Sequence, residues 1–235
     1  MRALDAAAIW RAIGNEFRLA VALADAGQST WLLGDPVEAL ALLKESRSVL
    51  GRCAPSPLTT GYAAMILRCL GMVTCSQGDY GRAADYFQES VVRAGESIAT
   101  GGYNEARGME LLGRALFLKG DIEQAKRWFG EALEVIQTER LRGHTLPDCL
   151  DWLAAAVDLS GRPYEAAVLF GAAEAQWHVR GAVRYAPDRA TYAAEMASVE
   201  AKLTPTDFAS AWAAGHTMSR EEAVIYAQKQ TGHFP

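Results

Sequence analysis

The sequence predicts an all-α chain: an α-solenoid of about four stacked helical hairpins closed by a helical C-terminal cap. Three observations lead there. A pattern of glycine, a short gap, alanine and then a large apolar residue comes back in "LGDPVEALALLKESR" (33–47), "QGDYGRAADYFQESV" (77–91), "KGDIEQAKRWFGEAL" (119–133) and "SGRPYEAAVLFGAAE" (160–174). The glycines that open these copies, Gly34, Gly78, Gly120 and Gly161, stand 44, 42 and 41 residues apart, a period that belongs to repeated helical hairpins. No segment shows the apolar–polar alternation of a strand.

Each hairpin is explained by its small residues. Seven positions before the glycines stand Gly27, Gly71, Gly113 and Ala154; five positions after stand Ala39, Ala83, Ala125 and Ala166. Two antiparallel helices come within about 8–10 Å of each other where small side chains meet at the crossing. Leu43, Phe87, Phe129 and Phe170 come four residues after each alanine, one turn along the same face, where they fill the gap between hairpins. The glycine supplies the positive φ or C-cap that ends the first helix. Asp35, Asp79 and Asp121 stand where they can cap the second. First helices are expected at about 16–33, 60–77, 103–119 and 147–160, and second helices at about 36–50, 80–99, 121–140 and 163–180. Residues 3–12 form a further helix over the N-terminal face. Pro55 and Pro57 make "LGRCAPSPLTTG" (50–61) a link.

The repeat stops near Gly181. "GAVRYAPD" reads as a loop, and three amphipathic stretches come after it. Thr204-Pro205 opens one helix, and Ser219 with Glu222 forms a capping box that opens the last. A solenoid needs an end piece over its last apolar face. The expected division is therefore 1–181 for the repeats with their N-terminal helix and 182–235 for capping helices of the same solenoid.

Composition narrows the function. With half of its 235 residues hydrophobic and a net charge of −5, the chain has a core but no overall pull toward nucleic acid or an anionic membrane. No apolar run reaches the ~18 residues of a spanning segment, and charged residues interrupt the N-terminal stretch, so a cytoplasmic protein without membrane contact is expected. Cys53, Cys69, Cys75 and Cys149 form no CxxC pair and read as reduced thiols. His144, His178, His216 and His233 lack metal-ligand spacing. No G-x-S-x-G elbow or P-loop is present. The acidic pairs Glu221/Glu222 and Asp148/Asp151 are better explained as helix-end charges than as catalytic carboxylates. No enzyme activity, cofactor or metal is expected.

The small–Gly–Ala–aromatic–Ala order resembles the tetratricopeptide repeat, with Leu43 in place of the aromatic, Ser46 and Ser90 in place of the last alanine, and a period longer than that family's 34. The segments "FGAAEA" (170–175), "F-x-x-A-W-x-x-G" (208–215) and "S-x-E-E-A-x-x-Y-A" (219–227) are similar to the C-terminal repeat region of large bacterial regulators that carry an NTPase switch and a LuxR-type DNA-binding or adenylate-cyclase-type domain. The resemblance implies a fragment or a shortened relative. The tetratricopeptide resemblance implies a concave groove lined by the first helices, at Gln28, Trp31, Arg68, Met72, Cys75, Arg107, Glu110, Arg114, Phe117, Asp151 and Asp158. It also implies a protein or peptide partner, other domains of the same regulator among them, without direct nucleic-acid contact. A small-molecule effector in that groove, favoured by Trp31, Met72 and Phe117, is the alternative. Arg107→Glu with Arg114→Glu is expected to abolish partner binding without loss of helix.

Overall fold

A computed structural model describes residues 2–96, 101–180, 184 and 188–232. Every regular element among them is an α-helix. The order is α1 (Arg2–Ile13), α2 (Glu16–Leu32), α3 (Pro36–Leu50), α4 (Pro57–Ser76), α5 (Tyr80–Gly95), α6 (Gly101–Lys119), α7 (Ile122–Thr138), α8 (Thr145–Leu159), α9 (Pro163–Arg180), α10 (Asp188–Lys202), α11 (Pro205–His216) and α12 (Arg220–Gln230). The expected loop at 181–188 falls, but for Arg184 and Asp188, outside the described residues, as do the expected helix end at 97–99 and His233. The chain divides into two compact units, Met1–Ala115 and Leu116–Pro235. The division lies within α6, and α10–α12 share a unit with α7–α9.

In unit 1 the hairpins α2/α3 and α4/α5 close where the sequence places its small residues. A Cβ on Gly27 would lie 2.8 Å from Leu43 Cγ, and one on Gly71 would lie 2.5 Å from the Phe87 ring. Leu43 and Phe87 are therefore seated against bare backbone, and both are fully buried. Gly34 and Gly78 take φ of +96° and +82°, the left-handed region in which a Cβ is strained. Where the repeat has serine for alanine, the hydroxyl crosses the hairpin. Ser46 Oγ donates to the Ala20 carbonyl at 2.7 Å, and Ser90 Oγ donates to the Ala64 carbonyl at 2.8 Å.

Three local expectations are corrected. Pro57 does not interrupt the second first-helix but opens it: Ser56 is the N-cap in a capping box with Thr59, and proline sits in the first turn, where its missing N–H costs nothing. Asp121 makes no side-chain cap to α7; its carboxylate lies 3.2 Å from Lys119 Nζ instead. Despite lacking a wholly apolar run, α4 is long and apolar enough to cross a membrane. Half of that window is buried, with Ala64, Leu67, Leu70 and Val73 in the hairpin core, so core packing accounts for its hydropathy.

In unit 2, α8 and α9 form the last repeat hairpin, with Ala154, Ala166 and Phe170 buried at the crossing. The cap then closes on α9. A Cβ on Gly171 would meet the Trp212 carbonyl, and one on Gly215 would strike the Val168 carbonyl. Backbone thus lies against backbone between α9 and α11. The glycines of the "FGAAEA" and "F-x-x-A-W-x-x-G" segments are what this approach requires. α12 packs on α7 and α9, where Gly130 faces Thr231 and Arg220 donates to the Leu141 carbonyl.

Candidate functional site

The expected groove residues fall in both units, and each unit has its own first-helix face. In unit 1, Gln28 is exposed on α2, and Trp31, Arg68, Met72 and Cys75 are partly exposed on α2 and α4. Two hydrogen bonds tie successive repeats together there. Trp31 Nε1 donates to Ser76 Oγ at 3.1 Å, and Arg68 Nη1 donates to Asn104 Oδ1 at 2.7 Å. Each links the first helices of successive repeats, so the face is held by bonds between repeats as well as by packing within them. Arg107 Nη1 lies 2.7 Å from Glu110 Oε2, with side chains 14% and 1% exposed. Burial pushes the Arg68 guanidinium below its ordinary value, and the neighbouring Arg107 pushes the same way. The centre of this face is cationic and short of water. Arg114 is partly buried farther along α6.

This geometry changes what one substitution would report. Arg107→Glu would set a second carboxylate beside the buried Glu110, and like charges at that spacing destabilise. The Arg107→Glu/Arg114→Glu pair is therefore expected to cost stability, and a loss of binding in that variant would not by itself report on the face.

In unit 2 the remaining expected residues are covered. Phe117 is buried, with its ring edge-on to Trp152 at 5.6 Å. Asp151 accepts from Arg184 Nε at 2.8 Å, from Arg184 Nη2 at 3.2 Å and from Trp177 Nε1 at 3.0 Å. Arg184 Nη1 also reaches Glu174 at 2.7 Å, and its guanidinium lies 3.6 Å from the centre of the Tyr192 ring. Asp158 is 2% exposed; its Oδ2 accepts from Lys202 Nζ at 2.5 Å and from Ser198 Oγ at 3.0 Å. Burial drives the Asp151 carboxyl up to about 6, opposed by Arg184 and Trp177 and aided by Asp148. Beside Asp151 a cavity of about 20 Å³, lined by Asp148, Asp151, Trp152, Phe170, Tyr192 and Glu195 among others, has room for about one water.

The repeat positions identify Asp151 and Asp158 but not the groups that hold them. Arg184, Ser198 and Lys202 come from beyond the last repeat, where the period gives no register. Asn104 and Ser76 sit on first helices, but a lone Asn or Ser carries no signal of its own. Among the described residues no cluster of three or more His, Cys, Asp or Glu could hold a metal.

Comparison with known proteins agrees with the repeat. Residues 62–138 match the tetratricopeptide repeat family, a family of non-catalytic repeats. Over 199 residues, 85% of the chain, the sequence is 27% identical to putative HTH-type transcriptional regulators of Mycobacterium bovis and of two Mycobacterium tuberculosis strains, CDC 1551 and H37Rv. The chain spans 21% of the length of these relatives.

Proposed function

We propose that this chain is the protein-interaction and sensing segment of a bacterial transcriptional regulator, and that the first-helix face of unit 1 is its contact surface. The observation that carries this reading is the row Gln28, Trp31, Arg68, Met72, still reachable from solvent and fixed in place by the Trp31–Ser76 and Arg68–Asn104 bonds. A face already ordered loses little entropy when a partner docks. Arg68 and Arg107 select a carboxylate-bearing segment, since an incoming anion supplies the opposite charge that the desolvated Arg68 guanidinium lacks and offsets its repulsion by Arg107. Trp31 and Met72 supply the apolar contact beside it.

The mycobacterial relatives bear the name of HTH-type transcriptional regulators, and the "FGAAEA" and "S-x-E-E-A-x-x-Y-A" segments are similar to LuxR-type members of that class. In such a protein this segment works in the cytoplasm. It leaves nucleic acid to another domain and governs the regulator by holding or releasing an acidic segment, in the same polypeptide or in a partner. Fluorescence anisotropy with a panel of acidic peptides and their amidated, neutral counterparts tests the reading. Acidic peptides bind, neutral ones do not, and Met72→Glu weakens binding by about tenfold or more with an unchanged melting temperature. Affinity that ignores both peptide charge and Met72→Glu removes this face from the function.

A further inference from the structure

The first-helix face of α8 is occupied by the chain's own α10. Asp151 and Asp158 stand seven residues apart on α8, about 10 Å at 1.5 Å per residue. Each is met by a cation from the segment that docks there: Arg184, ahead of α10, and Lys202, its last residue. Trp152 and Phe170 line the cavity beside Asp151 and Arg184, and the Phe170 ring meets Tyr192 of α10 edge-on at 5.5 Å.

The occupant holds this place weakly. Among the described side chains of α10, Val199 alone is fully buried, and the rest are partly or wholly exposed. By contrast, every residue of α8 from Trp152 to Asp158 is buried. The Lys202 side chain is 43% exposed while that of Asp158 is fully buried, so the cation that Asp158 needs is supplied from the solvent side, where water and other cations compete with it. A helix with so small an apolar stake opens at a lower free energy than the core beneath it. The fit is also incomplete. Both donors to Asp158 use Oδ2, and Oδ1 is buried with no hydrogen bond from the described residues. A lysine is a point charge and fills one oxygen; an arginine fork reaches both.

We propose that α10 is a displaceable internal ligand of the α8 face. Once vacated, that face takes a helical segment of another protein that brings one cation to Asp151 and an arginine to Asp158. This site lies in unit 2 and is independent of the acidic-partner face of unit 1. The two faces ask for partners of opposite charge.

Hydrogen exchange on the full chain tests the first half. Amides of 188–202 exchange at least about tenfold faster than those of 149–158, Lys202→Arg slows them several-fold, and Lys202→Met speeds them. For the second half, a fluorescent peptide spanning 184–203 and carrying K202R is titrated onto the chain. It binds the Lys202→Met chain about tenfold or more tighter than the wild type. Asp158→Asn abolishes that binding and Met72→Glu leaves it intact. The proposal is overturned if α10 exchanges only together with α8 in the wild type, a result that needs no variant to fold. It is equally overturned if K202R fails to slow α10, or if the peptide binds all chains alike or none.

Discussion

In unit 1 the first-helix face carries Arg68 and Arg107 and keeps Gln28, Trp31 and Met72 within reach of solvent; in unit 2 the matching face carries Asp151 and Asp158 and lies under α10. Both arise from one hairpin, repeated with small changes. What differs is the neighbour. In unit 1, cross-repeat bonds such as Trp31 to Ser76 tie first helix to first helix. In unit 2 the non-repeat helices α10, α11 and α12 all pack on α9, and α10 also touches α8. The same position in a repeat is thus solvent-accessible or a core position according to whether a later helix packs over it. Charge tracks exposure: carboxylates on the covered face need fixed cations, and Arg184 and Lys202 provide them.

The largest expected effect breaks the closure of unit 2. Gly215→Ala drives a methyl into the Val168 carbonyl, a backbone atom that no rotamer change can move aside. We expect a loss of about 3 kcal/mol or more, seen as a lowered melting temperature and as faster hydrogen exchange concentrated in α9 and α11. Gly27→Ala makes the corresponding change in unit 1. Its methyl meets the Leu43 side chain at 2.8 Å, which can shift, and the loss is about 1–2 kcal/mol. Equal losses at the two sites would mean that the α9–α11 crossing is no tighter than a repeat hairpin.

Next in size is the titration of Asp151. Its folded-state value, near 6, lies above its unfolded value of 3.8, so the folded chain takes up this proton first. The stabilisation is complete below the unfolded value and is lost as pH rises through about 6. Arg184, Trp177, Asp148, Glu174 and Tyr192 all face this region, and only a comparison isolates Asp151. Relative to Asp151→Asn, the wild type gains on the order of 1–2 kcal/mol between pH 7 and pH 5, measured by urea unfolding at each pH. Parallel pH profiles for the two chains would place Asp151 in a watery site and weaken the contrast between the faces.

The repeat makes most of the fold legible. Gly34, Gly78, Gly120 and Gly161 all take the positive φ that their place between helices demands. Helix boundaries can be read to within a few residues, because glycine, proline and Ser/Thr/Asp caps act locally. Pro57 misleads because proline both blocks a helix interior and opens a first turn, and only Ser56 beside it tells the two apart. The site is legible at the positions fixed by the period and illegible where partners come from elsewhere. Asp158 can be placed on its face, but nothing in its own surroundings announces Lys202, 44 residues on. Charge sign alone does not show that the first-helix face of unit 2 is covered while that of unit 1 stays partly open.

The smallest effect concerns the serines that replace the repeat's usual alanine. Ser46 and Ser90 are fully buried, and each donates to a first-helix carbonyl 26 residues back. Unit 2 has Ala132 and Ala173 at the equivalent positions. If the hydroxyls hold the open face of unit 1 in place of the covering helix that unit 2 has, removing them loosens that face. Ser46→Ala and Ser90→Ala each remove the hydroxyl and leave the Cβ methyl, and the acceptors, Ala20 and Ala64, lie within helices α2 and α4. The cost is therefore about 0.5–1.5 kcal/mol apiece. The two sites share no partner, so the double variant adds the single losses. Chemical denaturation of the three variants measures this. Losses near zero would make the serines neutral stand-ins for alanine, and the order of the unit 1 face would then rest on bonds such as Trp31–Ser76 and Arg68–Asn104.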